Sequence, residues 1–196
     1  MTLACRITSA FLVMTIGACA SAPPTLVALP VAPYPTSDQT TVGSSDRTVL
    51  LRRVIVPGYL DGFPVVIGRK GQTLILSNDV EWAERLTDGV ARVLRSALSQ
   101  RLGPSRVLIE GDGRIADVDL TIELAALDPQ VSGHLQLDAR WIFLGTTGDR
   151  RSFAGRTQLQ VPLDSPTPSG VAAATAEALG RLADALALQV RRLAPR

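Results

Sequence analysis

The stretch Ile115-Ala116-Asp117-Val118-Asp119-Leu120-Thr121-Ile122-Glu123-Leu124-Ala125-Ala126-Leu127 decides the fold. Val118, Leu120, Ile122 and Leu124 fall on one side of an extended chain, and Asp117, Asp119, Thr121 and Glu123 on the other. A period of two residues describes a strand with one face in a core and one in water. Leu135, Leu137, Ala139, Trp141 and Phe143 continue the alternation. Gly145-Thr146-Thr147-Gly148-Asp149 then turns the chain into Ser152 to Val161, where Leu159 and Val161 alternate with Gln158 and Gln160. Three strands joined in this way predict an antiparallel meander.

Upstream, Arg106 to Ile109 reads as a short strand and Glu110-Gly111-Asp112-Gly113 as a turn. Before them, Trp82, Leu86, Val90, Val93, Ala97 and Leu98 recur at helical spacing to about Leu102, with Asn78 or Asp79 as the expected N-cap and Gly103-Pro104 as the stop. Glu81, Glu84, Arg85, Asp88, Arg92 and Arg95 fall largely on the other face of that helix. Gly89 in its middle costs about 1 kcal/mol relative to alanine and marks close packing. The runs Pro64 to Gly68 and Thr73 to Leu76, joined through Lys70-Gly71, predict a hairpin. The β-branched run Thr48 to Val56, closed by Pro57-Gly58, opens the folded domain. At the far end Ser169 is the expected cap of an Ala-rich helix reaching about Leu193, with Leu179, Leu182, Leu186 and Val190 as its apolar stripe. The fold class is α+β: a single domain with a largely antiparallel sheet and two amphipathic helices, most simply on one face.

The N-terminal end reads as an export signal rather than as fold. Arg6 supplies one positive charge, Ala10 to Met14 an apolar run, and small residues lead to a cysteine. That run is far shorter than the roughly 20 residues a spanning helix needs. Ile16-Gly17-Ala18-Cys19 resembles the bacterial lipobox, which implies cleavage after residue 18 and a diacylglycerol and an acyl chain on Cys19. Such chains bury dozens of methylenes at about 0.8 kcal/mol each, enough for permanent anchoring. The competing reading is an ordinary cleavage site near Ala20 or Ala22. Ala20, in place of the aspartate that favours inner-membrane retention, points to the outer membrane. Residues 19–47 read as a Pro/Ser/Thr-rich tether, in which Thr25 to Pro30 is apolar enough to add an edge strand. About 25 extended residues at about 3.3 Å each would reach roughly 80 Å, and less if part of the tether docks. The expected division is therefore 1–18 signal peptide, 19–47 tether and 48–196 folded domain.

Composition closes most routes to chemistry. The two cysteines are Cys5 and Cys19, and Cys5 leaves with the signal, so the mature chain has no internal disulfide. The net charge is +2, with acids and bases interspersed, and nothing steers the chain to nucleic acid. His134 is the one histidine, at the mouth of a strand, and reads as a solvent-facing loop residue. Asp117 and Asp119 point the same way about 7 Å apart, but their alternation with core residues assigns them to a solvated face. Trp82 and Trp141 read as core, and Asp112 as a turn residue. No catalytic residue, metal site or cofactor is expected. Tyr59, Leu60 and Phe63 stand out as large apolar groups in the Gly/Pro loop Val56 to Pro64, serving either as a plug over the sheet edge or as a contact surface.

The string VPGYLDGFPVVIGRKGQTLILSNDVEWAERLTDGVARVLRSALSQRLG, residues 56–103, resembles the PqiC family, auxiliary lipoproteins of ABC-type and MCE-type lipid transport systems. The likeness is carried by Val56-Pro57, the Tyr59-Leu60-Asp61 loop, Trp82-Ala83-Glu84 ahead of the Val90 to Leu98 run, and Leu102-Gly103. Gly62-Phe63 departs from it, standing where a polar residue is usual. The resemblance implies a non-enzymatic, homo-oligomeric subunit on the periplasmic face of the outer membrane, docking a periplasm-spanning MCE protein that carries phospholipids and supporting envelope integrity. The alternative is a structural or assembly lipoprotein of the outer membrane with no role in lipid transport.

Overall fold

The computed structural model describes residues 22–32, 47–146 and 151–193. The elements in chain order are β1 Thr25–Val27, β2 Val49–Ile55, β3 Pro64–Lys70, β4 Thr73–Trp82, α1 Leu86–Leu102, a 3-10 turn at Pro104–Arg106, β5 Val107–Leu108, β6 Val118–Gln130, β7 His134–Gly145, β8 Ser152–Pro162 and α2 Pro168–Arg192. The α+β class, the single largely antiparallel sheet and the two helices are as expected.

The meander is its backbone. β6 pairs with β7 from Val118↔Gly145 to Gln130↔His134, and β7 with β8 from His134↔Pro162 to Leu144↔Ser152, both antiparallel. The other edge of β6 is shared by two strands in succession. β2 lies parallel along its first half, from Val49↔Val118 to Ile55↔Glu123, and β3 meets its end at Arg69↔Gln130. β3 and β4 form the hairpin, turned at Gly71 with φ of 59°, and β1 adds to the outer edge of β4 in parallel. The edge strand expected within Thr25 to Pro30 is therefore present.

One face of this sheet is the core. Leu120, Ile122, Leu135, Leu137, Ala139 and Phe143 are fully buried there beneath Val90, Val93, Leu94, Ala97 and Leu98 of α1 and Leu179, Leu182, Leu186 and Val190 of α2. A bulge between Leu124 and Ala126 resets the alternation, so that Leu127 stays in the core while Asp128 turns to the face opposite the helices. Gly89 is buried, and a Cβ there would lie 3.2 Å from Leu29 Cδ1, so the packing expected of it is against the segment that follows β1.

Two boundaries differ from the sequence reading. The first helix starts at Leu86, not beyond Asn78, because Val80, Glu81 and Trp82 are claimed by pairing with Thr25, Leu26 and Val27. Trp82 keeps its predicted burial but from the end of a strand; its four-residue spacing from Leu86 is a coincidence of sequence that two flanking strands override. The second helix is capped by Thr167, whose Oγ1 accepts from the Gly170 N–H, with Pro168 at the first helical position and Ser169 already inside the first turn. Asp117 and Asp119 do lie opposite the core, yet they are pinned. Asp117 Oδ2 accepts from Thr48 N at 2.6 Å and Thr48 Oγ1 at 2.8 Å, and Asp119 pairs with Arg52 at 2.8 Å, so both hold β2 against β6.

Candidate functional site

The loop from Val56 to Phe63 leaves β2 and returns as β3 along the same edge of β6, and so is an excursion anchored at both ends of one strand line. Two turns shape it, closed by Leu60 N–H to Pro57 O at 2.9 Å and Asp61 N–H to Gly58 O at 3.3 Å. Its three large apolar residues have different fates. Leu60 is 3% exposed and joins the core with Val56, whereas Tyr59 is 42% and Phe63 62% exposed. The two readings left open by the sequence are thus divided among the residues: Leu60 is a plug, while Tyr59 and Phe63 are available at the surface.

Polar contacts hold the exposed part. The Tyr59 hydroxyl donates to Asp128 Oδ1 at 2.9 Å, and the Arg69 guanidinium donates to Asp128 Oδ2 at 2.7 Å and to the Tyr59 oxygen at 3.1 Å. Arg69 also stands 5.3 Å from the centre of the Tyr59 ring, within range of a cation–π attraction. Asp128 is buried beneath these two side chains. Burial, reinforced by hydrogen bonding to the Asp128 carboxylate, raises the Tyr59 phenol above its ordinary pKa. Asp61 ties the other side of the loop: Oδ1 accepts from the Thr87 N–H at 3.0 Å, and Oδ2 pairs with Arg85 at 2.7 Å. Arg85, the residue preceding α1, provides no side-chain cap, so the loop supplies the cap from a distance.

Asp128 and Arg69 escaped the sequence reading. Arg69 sits in the expected hairpin connection, and Asp128 faces outward only because of the bulge. A charged residue closing an otherwise apolar run was the available signal. Beside this cluster the outer sheet face carries a second clamp, in which Asp138 is buried and accepts from Arg156 and from Gln158 Nε2 at 3.2 Å. A shallow depression lined by Gln136, Gln158 and Gln160 adjoins it. His134 is half-buried at the start of β7, with Nδ1 3.1 Å from Ser132 Oγ. Trp141 is core, its indole N–H donating to Thr157 Oγ1 at 3.0 Å and its ring meeting Phe143 edge-on. Among the described residues no group of three or more His, Cys, Asp or Glu could hold a metal ion, and no helix is long and apolar enough to cross a membrane. Cys19 and the signal segment lie outside the described residues.

The carboxylates give the domain a defined acid response. Burial pushes the Asp61 carboxyl up, but the Thr87 N–H and Arg85 outweigh it and hold it below the ordinary value of 3.8. Asp138 is also lowered, chiefly by its hydrogen bonds from Arg156, against the opposing effect of burial. The unfolded chain therefore takes up these protons at higher pH than the folded one. Stability from both groups is complete above about 3.8 and is lost as pH falls through their lower folded values. Urea midpoints followed from neutral pH to about pH 2 should drop in that acid window, and the drop should shrink in the Asp61→Asn/Asp138→Asn double variant. An equally steep drop in the double variant would assign the acid response to other groups. Asp61→Ala alone is expected to cost about 1 kcal/mol at neutral pH through the lost cap.

Known structures share this architecture. A crystal structure of an uncharacterized protein superposes with a TM-score of 0.69 at 15% identity, over 86% of this chain and 99% of that one. A crystal structure of a protein from Xanthomonas campestris superposes with a TM-score of 0.60 at 18% identity, over 83% and 92% of the two chains. At such identities the likeness is one of fold. The comparison with curated proteins gives no match. In sequence, residues 28–187 match the family described as the ABC-type transport auxiliary lipoprotein component, a span running from just after β1 into α2 and including the loop and both clamps. The chain belongs to the family of ABC-type transport auxiliary lipoprotein components.

Proposed function

We propose that this chain is the outer-membrane-anchored lipoprotein subunit of an ABC/MCE-type phospholipid transport system. Lipid on Cys19 holds it at the periplasmic face, and its domain docks a periplasm-spanning MCE-family protein to the outer membrane, supporting envelope integrity. The family match over residues 28–187 carries this reading. The lipobox-like Ile16-Gly17-Ala18-Cys19 supports the anchor. In this reading the protein is non-enzymatic and homo-oligomeric and needs no cofactor; its work is binding. Tyr59 and Phe63 are the proposed partner contacts, with Leu60 seated beneath them to keep the loop in place. Exposed aromatics on a loop pinned by Asp61 and Asp128 lose little conformational entropy on binding, a property of good contact residues.

Two experiments test it. Cys19→Ser should abolish lipid labelling and release the domain from the membrane fraction; a variant that stays labelled and sedimented refutes the anchor. Affinity capture of the lipidated protein should enrich the MCE protein, and Phe63→Ala should reduce that enrichment without shifting the thermal midpoint, whereas Tyr59→Ala should reduce it at some cost in stability, because it also removes a donor from the buried Asp128. Absence of the MCE protein from the wild-type capture would favour an assembly lipoprotein without lipid traffic.

A further inference from the structure

β1 shortens the reach of the anchor and fixes its direction. The backbone of β1 is built into the sheet, with Ala83 N–H donating to Val27 O at 2.8 Å, and the segment after it is held to α1, with Arg92 donating to Leu29 O at 3.0 Å. Leu29 and Ala32 are buried at 3% and 2% exposure. From Cys19 to Thr25 there are six residues, so however they are arranged the lipidated cysteine lies within about 20 Å of Thr25. The roughly 80 Å that a fully free tether would allow is thus out of reach once β1 is docked.

The direction follows from the strand register. β1 runs parallel to β4, with Thr25↔Val80 and Val27↔Trp82, so residues before Thr25 depart toward the start of β4 and the β3–β4 turn. The same end of the sheet holds the β6–β7 turn, because Val131 N–H donates to Arg69 O. Ile75 and Val131 meet there over Gly68: a Cβ on that glycine would lie 3.4 Å from Ile75 Cδ1 and 3.4 Å from Val131 Cγ1. Both side chains nevertheless remain open to solvent, at 42% and 56%, with exposed Lys70 at the turn. A short lipid anchor thus leads toward an exposed apolar cluster with a cation at its tip.

We infer that this end of the domain, centred on Ile75, Val131 and Lys70, rests on the lipid surface that holds Cys19. The inference rests on the proposed lipidation of Cys19. The apolar side chains enter the interfacial layer and Lys70 meets anionic headgroups. The opposite end, where Ile115 is 79% and Leu144 48% exposed, then faces away from the bilayer. The 13 residues of β6 separate the two ends by about 40 Å. The domain is a rigid spacer standing on its membrane, and a periplasmic partner meets it from the sides or the far end.

The test uses the lipidated full chain, in which acylated Cys19 leaves an introduced cysteine as the one free thiol of the mature protein. Ile75→Cys, Val131→Cys, Ile115→Cys and Leu144→Cys are labelled with an environment-sensitive fluorophore. They are reconstituted in phosphatidylethanolamine/phosphatidylglycerol vesicles carrying doxyl-labelled phosphatidylcholine. All four positions are exposed, and unchanged thermal midpoints confirm folding. The expected result is flotation with the vesicles, loss of most emission at positions 75 and 131, and little loss at 115 and 144. Flotation with equal quenching at both ends, none at either, or quenching at 115 and 144 instead overturns the orientation and leaves the anchor standing. Failure to float, matching a Cys19→Ser control, refutes the anchor itself and the inference with it.

Discussion

Gly155→Val is expected to destabilise the domain by about 1–3 kcal/mol or more, as overpacking does in a well-filled site. Gly155 pairs with Trp141 across β7 and β8, and the indole lies over it: a Cβ on residue 155 would stand 2.3 Å from Trp141 Cζ2. The ring cannot simply withdraw. It is 9% exposed, held by Thr157 through its N–H, and set edge-on against Phe143 at 5.5 Å. The glycine is required for space, the usual meaning of glycine inside a strand approached by a bulky neighbour. For a chain of this size the loss corresponds to roughly 3–10 °C in thermal midpoint, measurable by circular dichroism. Trp141→Leu, costly alone, should lose less in the Gly155→Val background, because the two changes share one space. Strict additivity of the two would show that the indole does not occupy that space in solution.

Asp128→Ala should be comparably damaging, at about 2–3 kcal/mol, since hydrogen bonds to a charged, buried group are among the stronger ones. The carboxylate is 4% exposed and answers both Tyr59 and Arg69. Its removal leaves the guanidinium facing a gap and frees the tyrosine ring; Arg69, partly open to water, recovers some hydration, which keeps the cost below that of a fully sealed pair. The signature is local. Amide exchange at Leu60 and Asp61 should accelerate beyond the global change, while Leu120 and Leu137 in the sheet follow global stability alone. Asp128→Asn, which keeps an acceptor for the tyrosine, should fall between wild type and alanine. Wild-type stability and exchange in Asp128→Ala would mean that the loop is held by Leu60 and Asp61 without the outer clamp.

The two predictions concern opposite faces of one sheet, and they differ in how visible their residues were beforehand. Trp141 announced itself as core through the alternation from Leu135 to Phe143. Its dependence on Gly155 did not, since that pairing is set by the register of two strands. Likewise Tyr59 and Phe63 were conspicuous in the sequence, but the groups that restrain them come from three other elements: Arg69 in β3, Asp128 in β6 and the start of α1.

The sequence by itself determined the meander, the stripes of both helices, the edge strand before the main domain and the poverty of catalytic groups. Each of these depends on periods of two or 3.6 residues, or on residue types simply present or missing, and such signals are local. Tertiary structure alone decided where β4 ends and α1 begins, because strands on both sides of Val80 to Trp82 outbid a helical period. It also decided that Asp61 caps a helix 26 residues away, that a bulge turns Asp128 outward to meet Arg69, and that Leu60 is buried while Tyr59 and Phe63 are not. Those outcomes need contacts between segments far apart in the chain, and no window of sequence contains both partners.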